Sequence, residues 1–460
     1  MSPSLRRWLR GSRALAQHRF HPQLQRMESR LAPATATLAS GVLTIDYTAT
    51  GIATEAVTIG DNGTNITLSG NVSGATSNPV GSVSKIVAQD SGGSTGQTVT
   101  FLGTFSLSGG LSSTGIETAI ITATINATST GSISITAPKT IQMGSSGGAS
   151  GALSSVSGNI TLSANQQVTP TTGTFYGIDC HHATISSTSG GITLQGRSGN
   201  TDDLIGVSLA DSSTIGVGTS GSVSLTGVSL GTGAVCDGVS IWNSTVTSGG
   251  GPISIVGQAG GSGAAAFAND GVILAANGFI SAGGTGSVTV QGTSSASVGG
   301  GFGVNVSTTG DKITSAGGTV TITGISGNTV SQAVQLASST TISTGGTAAL
   351  TIIADSLNVD AAAKIQAGAS SNAQVTIRPR TAGTKINLGG ADVLTGSPLT
   401  LGITNVELNR ISAGTIIFGS DGSANYPGVA AGPITVSSAM QHTAGASIGA
   451  ATAQNIVFNA

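Results

Sequence analysis

Side chains able to bind metals or exchange protons are concentrated in one segment, at Asp179, His181, His182, Asp202, Asp203 and Asp211. Imidazole and carboxylate groups serve in both kinds of site. A repeated fold would bring His182 and Asp211 into neighbouring positions, because they lie about 30 residues apart. A metal or acid/base site also needs three or more groups that converge on an open position. We therefore expect solvated turn residues at a strand end here, and no catalytic, metal or cofactor site.

The composition argues against a function built on charge. Of 460 residues, 7% are charged, 3% are aromatic and 72 are glycine, with a net charge of −2. Ordinary soluble domains carry about a quarter charged residues, so a nucleic-acid-binding surface is not expected. The few aromatic side chains favour a thin, repetitive core of Val, Ile, Leu and Ala over a thick globular one.

Positive charge is concentrated at the start of the chain. Residues 1–35 contain seven Arg and one Glu, a net charge of +6. Such a segment is typical of a disordered or export-related leader. No run of about 18 apolar residues occurs, so we expect no membrane span.

A repeat of about 30 residues dominates the remainder of the chain. Each copy has an apolar-x-apolar pair, then one apolar residue, then a second apolar-x-apolar pair. The first pairs are Ile178/Cys180, Val207/Leu209, Val239/Ile241, Val272/Leu274, Val304/Val306 and Val334/Leu336. The middle residues are Ile185, Ile215, Val246, Ile280, Ile313 and Ile342. The last pairs are Ile192/Leu194, Val223/Leu225, Ile253/Ile255, Val288/Val290, Val320/Ile322 and Leu350/Ile352.

Alternation with period two indicates strands with one buried face. Three short strands per period predict an all-β, right-handed parallel β-helix, in which successive coils stack. An antiparallel sandwich does not explain why three strand types keep their identities over six copies. We predict irregular coils at 36–170, regular coils at 171–355 and C-terminal coils at 356–460. A short capping helix turn is expected near 404–411, where Thr404 and Glu407 fit a capping box.

The turns between the last pair and the next first pair vary most, and solenoid proteins tend to place function there. These turns are 195–206, 226–238, 256–271 and 291–303. They carry Arg197, Asp202, Asp203, Asp237, Phe267, Asn269 and Asp270. Trp242 should point outward as a possible contact residue.

Two further features follow from the repeat. Cys180 and Cys236 should lie two coils apart, roughly 9.6 Å along the stack, too far for a disulfide, so both thiols should be free. The outward positions of the third strand form a hydroxyl column: Thr193, Ser224, Ser254, Thr289, Thr321 and Thr351. Small polar residues are the usual choice for an exposed strand face, although a flat array could bind ice or another ordered surface.

The segments VTIRPRTAGTKINLGG, LTLGITNVELNRISAGTIIFGS and the GSVSLTG-type strands resemble passenger regions of filamentous-haemagglutinin-like and autotransporter-type bacterial surface proteins. The resemblance covers most of residues 40–460 and is most distinctive at 400–420. It implies a secreted or outer-membrane-associated, non-enzymatic β-helical stalk, often adhesive, with a glycan or cell surface as partner. The secretion and translocator domains of such proteins are not recognisable, and a bare final strand suggests another chain or a missing region at the open end. The alternatives are a β-helix polysaccharide lyase or hydrolase and an ice- or surface-binding protein.

Overall fold

A computed structural model describes residues 33–48, 54–261, 269–296, 300–368, 370–424, 427–440 and 455–459. All but the last three residues of the predicted leader at 1–35 therefore lie outside the described residues. From residue 33 onward the chain forms one unit, a parallel β-helix with three strands per coil, which confirms the predicted fold class.

The third strands of the coils form one sheet of sixteen strands, which we call the third face. Its members are Ala34–Ala39, Val42–Tyr47, Val72–Gly74, Lys85–Asp90, Gly110–Thr114, Ser132–Ala137, Ile160–Ala164, Ile192–Arg197, Val223–Val228, Ile253–Gln258, Val288–Thr293, Val320–Ile325, Leu350–Ile353, Gln374–Arg378, Thr415–Gly419 and Asn455–Asn459.

The first strands of the coils form the first face. Its members are Thr140–Met143, Ile178–His181, Val207–Ala210, Val239–Trp242, Val272–Ala275, Val304–Val306, Val334–Leu336 and Leu357–Val359. The middle strands form the second face. Its members are Ala152–Ser155, Thr184–Ser187, Thr214–Val217, Thr245–Ser248, Phe279–Ala282, Lys312–Ser315, Thr341–Thr344, Lys364–Gln366 and Ile411–Ser412. Two longer strands, Thr98–Leu107 and Thr118–Ala127, serve both faces: Thr118–Ala127 pairs with Thr140–Met143 and also with Ala152–Ser155.

The predicted register is confirmed in all three faces. Cys180 pairs with Leu209, Ile185 with Ile215 and Leu194 with Leu225, and the same columns continue through the six coils. These inward side chains are almost fully buried. Removal of stacked aliphatic side chains from water is the main force that holds such coils together.

Antiparallel pairs interrupt the N-terminal coils. Ala34–Ala39 pairs antiparallel with Val42–Tyr47. Ala56–Asp61 pairs antiparallel with Asn65–Gly70, which also pairs with Ser77–Pro79 before the 3-10 turn Val80–Ser82. Val42–Tyr47 and Ala56–Asp61 nevertheless pair in parallel with Lys85–Asp90 and Thr98–Leu107, so parallel stacking already begins in this region.

The C-terminal coils carry an insertion beside the stack. The alternation alone suggests that Lys385–Leu388 continues the coils. It does not join the three faces, and it pairs instead with Thr400–Ile403 and Ile434–Val436 in a separate sheet. The predicted helix turn is present at Asn405–Leu408, with the Thr404–Glu407 capping box. Leu408 and Ile411 are buried, so this turn covers the core as predicted.

Glycines occur where the backbone of a third-face strand lies close to the backbone of a turn that leads into a first-face strand. They occupy the fifth position of five successive third-face strands, at Gly196, Gly227, Gly257, Gly292 and Gly324. A Cβ atom on Gly257 would collide with the carbonyl oxygen of Gly271, and the other positions meet the same obstacle. The close backbone approach therefore excludes any larger residue.

Candidate functional site

His181, and not His182, makes the side-chain contacts of the sequence cluster. Its Nδ1 lies 2.7 Å from Oδ2 of Asp211 on the next coil, and its Nε2 lies 3.3 Å from Oδ1 of Asp179. His182 and Asp211 are neighbours in the backbone stack, as expected, and both adopt left-handed φ angles, of 49° and 54°. With this turn conformation, the side chain of Asp211 lies beside His181, the residue before His182.

Asp179 lies under partial cover, with a side chain 22% exposed. Burial raises the pKa of Asp179, while His181 and a hydrogen bond from Ser208 oppose this rise. Both nitrogens of His181 already face carboxylates. The cluster therefore links two coils, with the imidazole of His181 between a carboxylate of its own strand and one of the next coil.

The neighbouring acids do not join this cluster. The carboxylate of Asp203 accepts the backbone N–H groups of Ala234 and Val235 from the next coil. Asp202 contributes its main-chain carbonyl oxygen to Thr232 and Gly233. Asp179 and Asp211 therefore meet at His181, whereas the recorded bonds of Asp202 are made by its main chain.

Two further turn acids form a buried ladder beside the first face. The backbone N–H of Asp270 donates to Oδ1 of Asp237 at 2.9 Å, and that of Phe302 donates to Oδ1 of Asp270 at 2.6 Å. Nδ2 of Asn305 donates a hydrogen bond to the other oxygen, Oδ2 of Asp270, at 2.8 Å. Burial raises the pKa of Asp270 to about 6, despite these bonds. The pKa of Asp237 is raised well above its usual range by burial and by the charge of Asp270.

Acids in later coils repeat this use of the carboxylate. Asp311 is fully buried, and its oxygens accept the N–H groups of Gly278 and Thr308. Asp355 accepts the N–H groups of Arg380 and Thr381. In each case the acceptor stands on one coil or turn and at least one donor stands on another.

A groove at the C-terminal end of the first face is lined by three acids. It has a volume of about 360 Å³ and is lined in part by Asp360, Asp392, Glu407, Asn358 and Thr404. Burial raises the pKa of Asp392 to about 7, with a further contribution from the charge of Glu407. Burial is also the main cause that raises the pKa of Glu407.

Asp392 and Glu407 terminate the first face. Oδ2 of Asp392 accepts the N–H of Leu357 at 2.9 Å, and Oε1 of Glu407 accepts that of Val359 at 3.2 Å. Their other oxygens accept from Gly402 and Thr404. The carboxylates replace the next strand for Leu357–Val359, which blocks that edge from pairing with another chain.

No group of three or more His, Cys, Asp and Glu side chains in the described part of the chain is arranged to hold a metal ion. The two bases in the clear coils form no ion pair with an acid of the described residues. Arg197 donates to the carbonyl oxygen of Gln167 at 3.3 Å, and Lys312 is exposed on the second face.

The remaining sequence candidates have simple environments. Cys180 and Cys236 are both buried, and both are free, as predicted. Trp242 is 52% exposed and points outward as predicted. Asn269 is buried, and its Oδ1 accepts the N–H of Cys236. Phe267 lies outside the described residues.

The hydroxyl column on the third face is continuous from Thr193 to Thr351. The next outward column is mixed and contains Gln195, Thr226, Val256, Gln291, Thr323 and Ile353. Paired Thr rows therefore form only locally, as at Thr321 and Thr323.

Sequence reasoning missed the structural use of the acids. Asp237 and Asp270 each precede a first-face strand by two residues, and this repeated offset is a signal that the sequence contains. Asp392 lies outside the six-coil repeat and has no such signal.

No helix in the described ranges has the length and apolar character needed to cross a membrane. No protein-family model, curated protein or solved structure matches the chain.

Proposed function

We propose that the chain is a secreted or surface-displayed β-helical scaffold of the adhesin-like type, without enzymatic activity. It would present the turns between the third and first faces to a glycan or to the surface of a host or neighbouring cell. The proposal extends the resemblance of the strands at 372–420 to bacterial surface passengers.

The observation that carries the proposal is the use of the acids. Asp203, Asp237, Asp270 and Asp311 each accept backbone N–H groups that belong to a neighbouring coil. A carboxylate held in this way stabilises the loop backbone, since charge-assisted bonds to buried N–H groups are strong. Acids with this role build a rigid surface and are poorly placed to transfer protons to a substrate.

The turn from the first to the second face, at the opposite end of the first-face strand from these turns, offers a second contact residue. Trp242 ends a first-face strand with its side chain half exposed, next to Asn243 in the tight turn. Exposed aromatic side chains contribute strongly to binding when a partner covers them.

Binding of the purified chain to a glycan array and to intact cells tests the proposal. We expect saturable binding to at least one surface, weakened at least tenfold by Trp242→Ala. Val168→Ala serves as the control, because Val168 is a fully exposed apolar residue in a different turn. Failure to bind any glycan or cell surface would contradict the proposal.

A polysaccharide hydrolase is the second candidate, because a specific site favours it. The groove at Asp360, Asp392 and Glu407 combines three acids with a pKa of Asp392 near 7, and raised carboxyl pKa values suit general acids. Against it, all four oxygens of Asp392 and Glu407 already accept hydrogen bonds. Release of reducing sugar that Asp392→Asn abolishes, while the variant stays folded, would replace the scaffold proposal with this one.

A further inference from the structure

Glu55 differs from the other buried acids of the described chain in having no donor. Its side chain is fully buried, and among the described residues neither Oε1 nor Oε2 has a hydrogen-bond partner. Asp270, Asp311, Asp392 and Glu407 all accept bonds at both oxygens. A buried carboxylate without partners is costly by several kcal/mol, and burial together with the charge of Asp90 raises the pKa of Glu55. Glu55 is therefore either a neutral acid or a carboxylate whose charge a bound cation compensates.

The backbone places Gln97 beside Glu55. The N–H of Thr98 donates to the carbonyl oxygen of Glu55 at 2.8 Å, so Glu55 and Gln97 occupy equivalent positions on neighbouring coils. Both side chains face inward. Glu55 is buried like Val57, two residues along its strand, and Gln97 is buried like Val99. Adjacent strands lie about 4.8 Å apart, which brings the two side chains together inside the N-terminal end of the stack.

The orientation of the Gln97 amide is fixed by Asp90. Nε2 of Gln97 donates to Oδ2 of Asp90 at 3.0 Å and also contacts Ser94 Oγ. Oδ1 of Asp90 accepts the N–H groups of Gly92 and Gly93, both at 3.0 Å. Oε1 of Gln97 is therefore turned away from Asp90, and it too is buried without a partner.

The hydroxyl of Tyr47 does not supply the missing donor. Tyr47 is fully buried, and its hydroxyl donates to the carbonyl oxygen of Thr98 at 2.8 Å. The charge of Glu55 raises the pKa of Tyr47, in addition to burial, which places the two groups close together. The described residues put no Lys, Arg or His side chain within ion-pair distance of Glu55.

We propose that Glu55 Oε1 and Oε2 and Gln97 Oε1 bind a calcium ion, with Asp90 adding negative charge nearby. These three oxygens are buried acceptors that lack a donor, which is the environment that a hard cation with oxygen ligands requires. The site contains two carboxylates and an amide. It is therefore not one of the groups of three or more His, Cys, Asp and Glu side chains that the described residues lack. Calcium tolerates irregular coordination and would complete its shell with main-chain oxygens and water.

Calcium titration of the full-length chain, followed by calorimetry and by the unfolding temperature, tests the site. We expect one ion per chain and a higher unfolding temperature with calcium than with a chelator. Glu55→Gln removes the carboxylate and should weaken binding at least tenfold. The control is Asp202→Asn, which removes an exposed carboxylate whose backbone adopts a left-handed φ that Asn tolerates.

Terbium luminescence gives a readout that does not depend on how well Glu55→Gln folds. Terbium bound at Glu55 should be excited through Tyr47, and Tyr47→Phe should abolish most of this emission while calcium still raises the unfolding temperature. Absence of calcium binding to the wild-type chain would overturn the proposal and would mean that Glu55 is held as a neutral acid. Equal binding by Glu55→Gln and wild type would overturn it as well.

Discussion

Nδ1 of His181 lies 2.7 Å from Oδ2 of Asp211, and the two residues belong to successive coils. The bond from the N–H of Asp270 to Asp237 likewise joins successive coils, at the other end of the first-face strands. Polar side chains at both ends of these strands therefore connect one coil to the next. They add specific links to a core whose aliphatic columns supply most of the stabilising energy.

The His181–Asp211 pair should contribute little to stability. The Asp211 side chain is 40% exposed, and exposed ion pairs contribute about 0.2–1 kcal/mol. A double-mutant cycle with His181→Gln and Asp211→Asn, measured by denaturant unfolding, should give a coupling free energy in this range that decreases with added salt. A coupling free energy well above it would indicate a buried, functional dyad.

Stability should fall as the pH rises from about 4 to about 7. Folded-state pKa values of about 6 for Asp270 and about 7 for Asp392 exceed the unfolded values, which are about 3.9. Within this window the folded state therefore binds more protons than the unfolded state. The stabilisation that the two carboxyl groups contribute is fully present below their unfolded pKa and is lost as the pH rises through their folded pKa. Urea unfolding across this range should show the decline, and Asp392→Asn should make it smaller. A stability that rises with pH would contradict the burial of these acids.

Both thiols should resist modification in the folded chain. Cys180 is fully buried, and burial raises its pKa, so the reactive thiolate is scarce. A thiol reagent should report two thiols per chain in denaturant and almost none under native conditions. Zero thiols in denaturant would mean a disulfide and would invalidate the register.

Gly257→Ala should be strongly destabilising, because its Cβ would collide with the carbonyl oxygen of Gly271. We expect a loss of about 1–3 kcal/mol, the usual result of overpacking. Gly250→Ala is the matched control, since its Cβ would lie 3.7 Å from the nearest atom, the carbonyl oxygen of Thr219. That variant should be neutral or stabilising by up to about 1 kcal/mol. Equal effects in denaturant unfolding would contradict the close coil contact.

The regular coils could be predicted from sequence because their signal is local and repeated. Val239, Ile241 and Val246 recur with their equivalents at nearly fixed spacing, and burial of one strand face requires that alternation. The separate sheet at Lys385–Leu388 could not be predicted in this way, because its partners are chosen by tertiary packing.

The polar contacts were harder to predict than the strands. His182 has the same residue type as His181, and the left-handed φ of the turn decides which imidazole meets Asp211. Glu55 alternates in step with Val57 and Ile59, but only the structure shows that it lacks a donor.

Amide hydrogen exchange in Asp270→Ala tests most directly whether turn carboxylates hold the backbone of the neighbouring coil. The N–H of Phe302 donates to Asp270 at 2.6 Å, so its protection should be lost in the variant. The strands Val272–Ala275 and Val288–Thr293 should stay protected, and Asp202→Asn should leave the whole pattern unchanged. Unchanged protection at Phe302 would contradict the structural role of the acids and would return Asp270 to the candidates for chemistry.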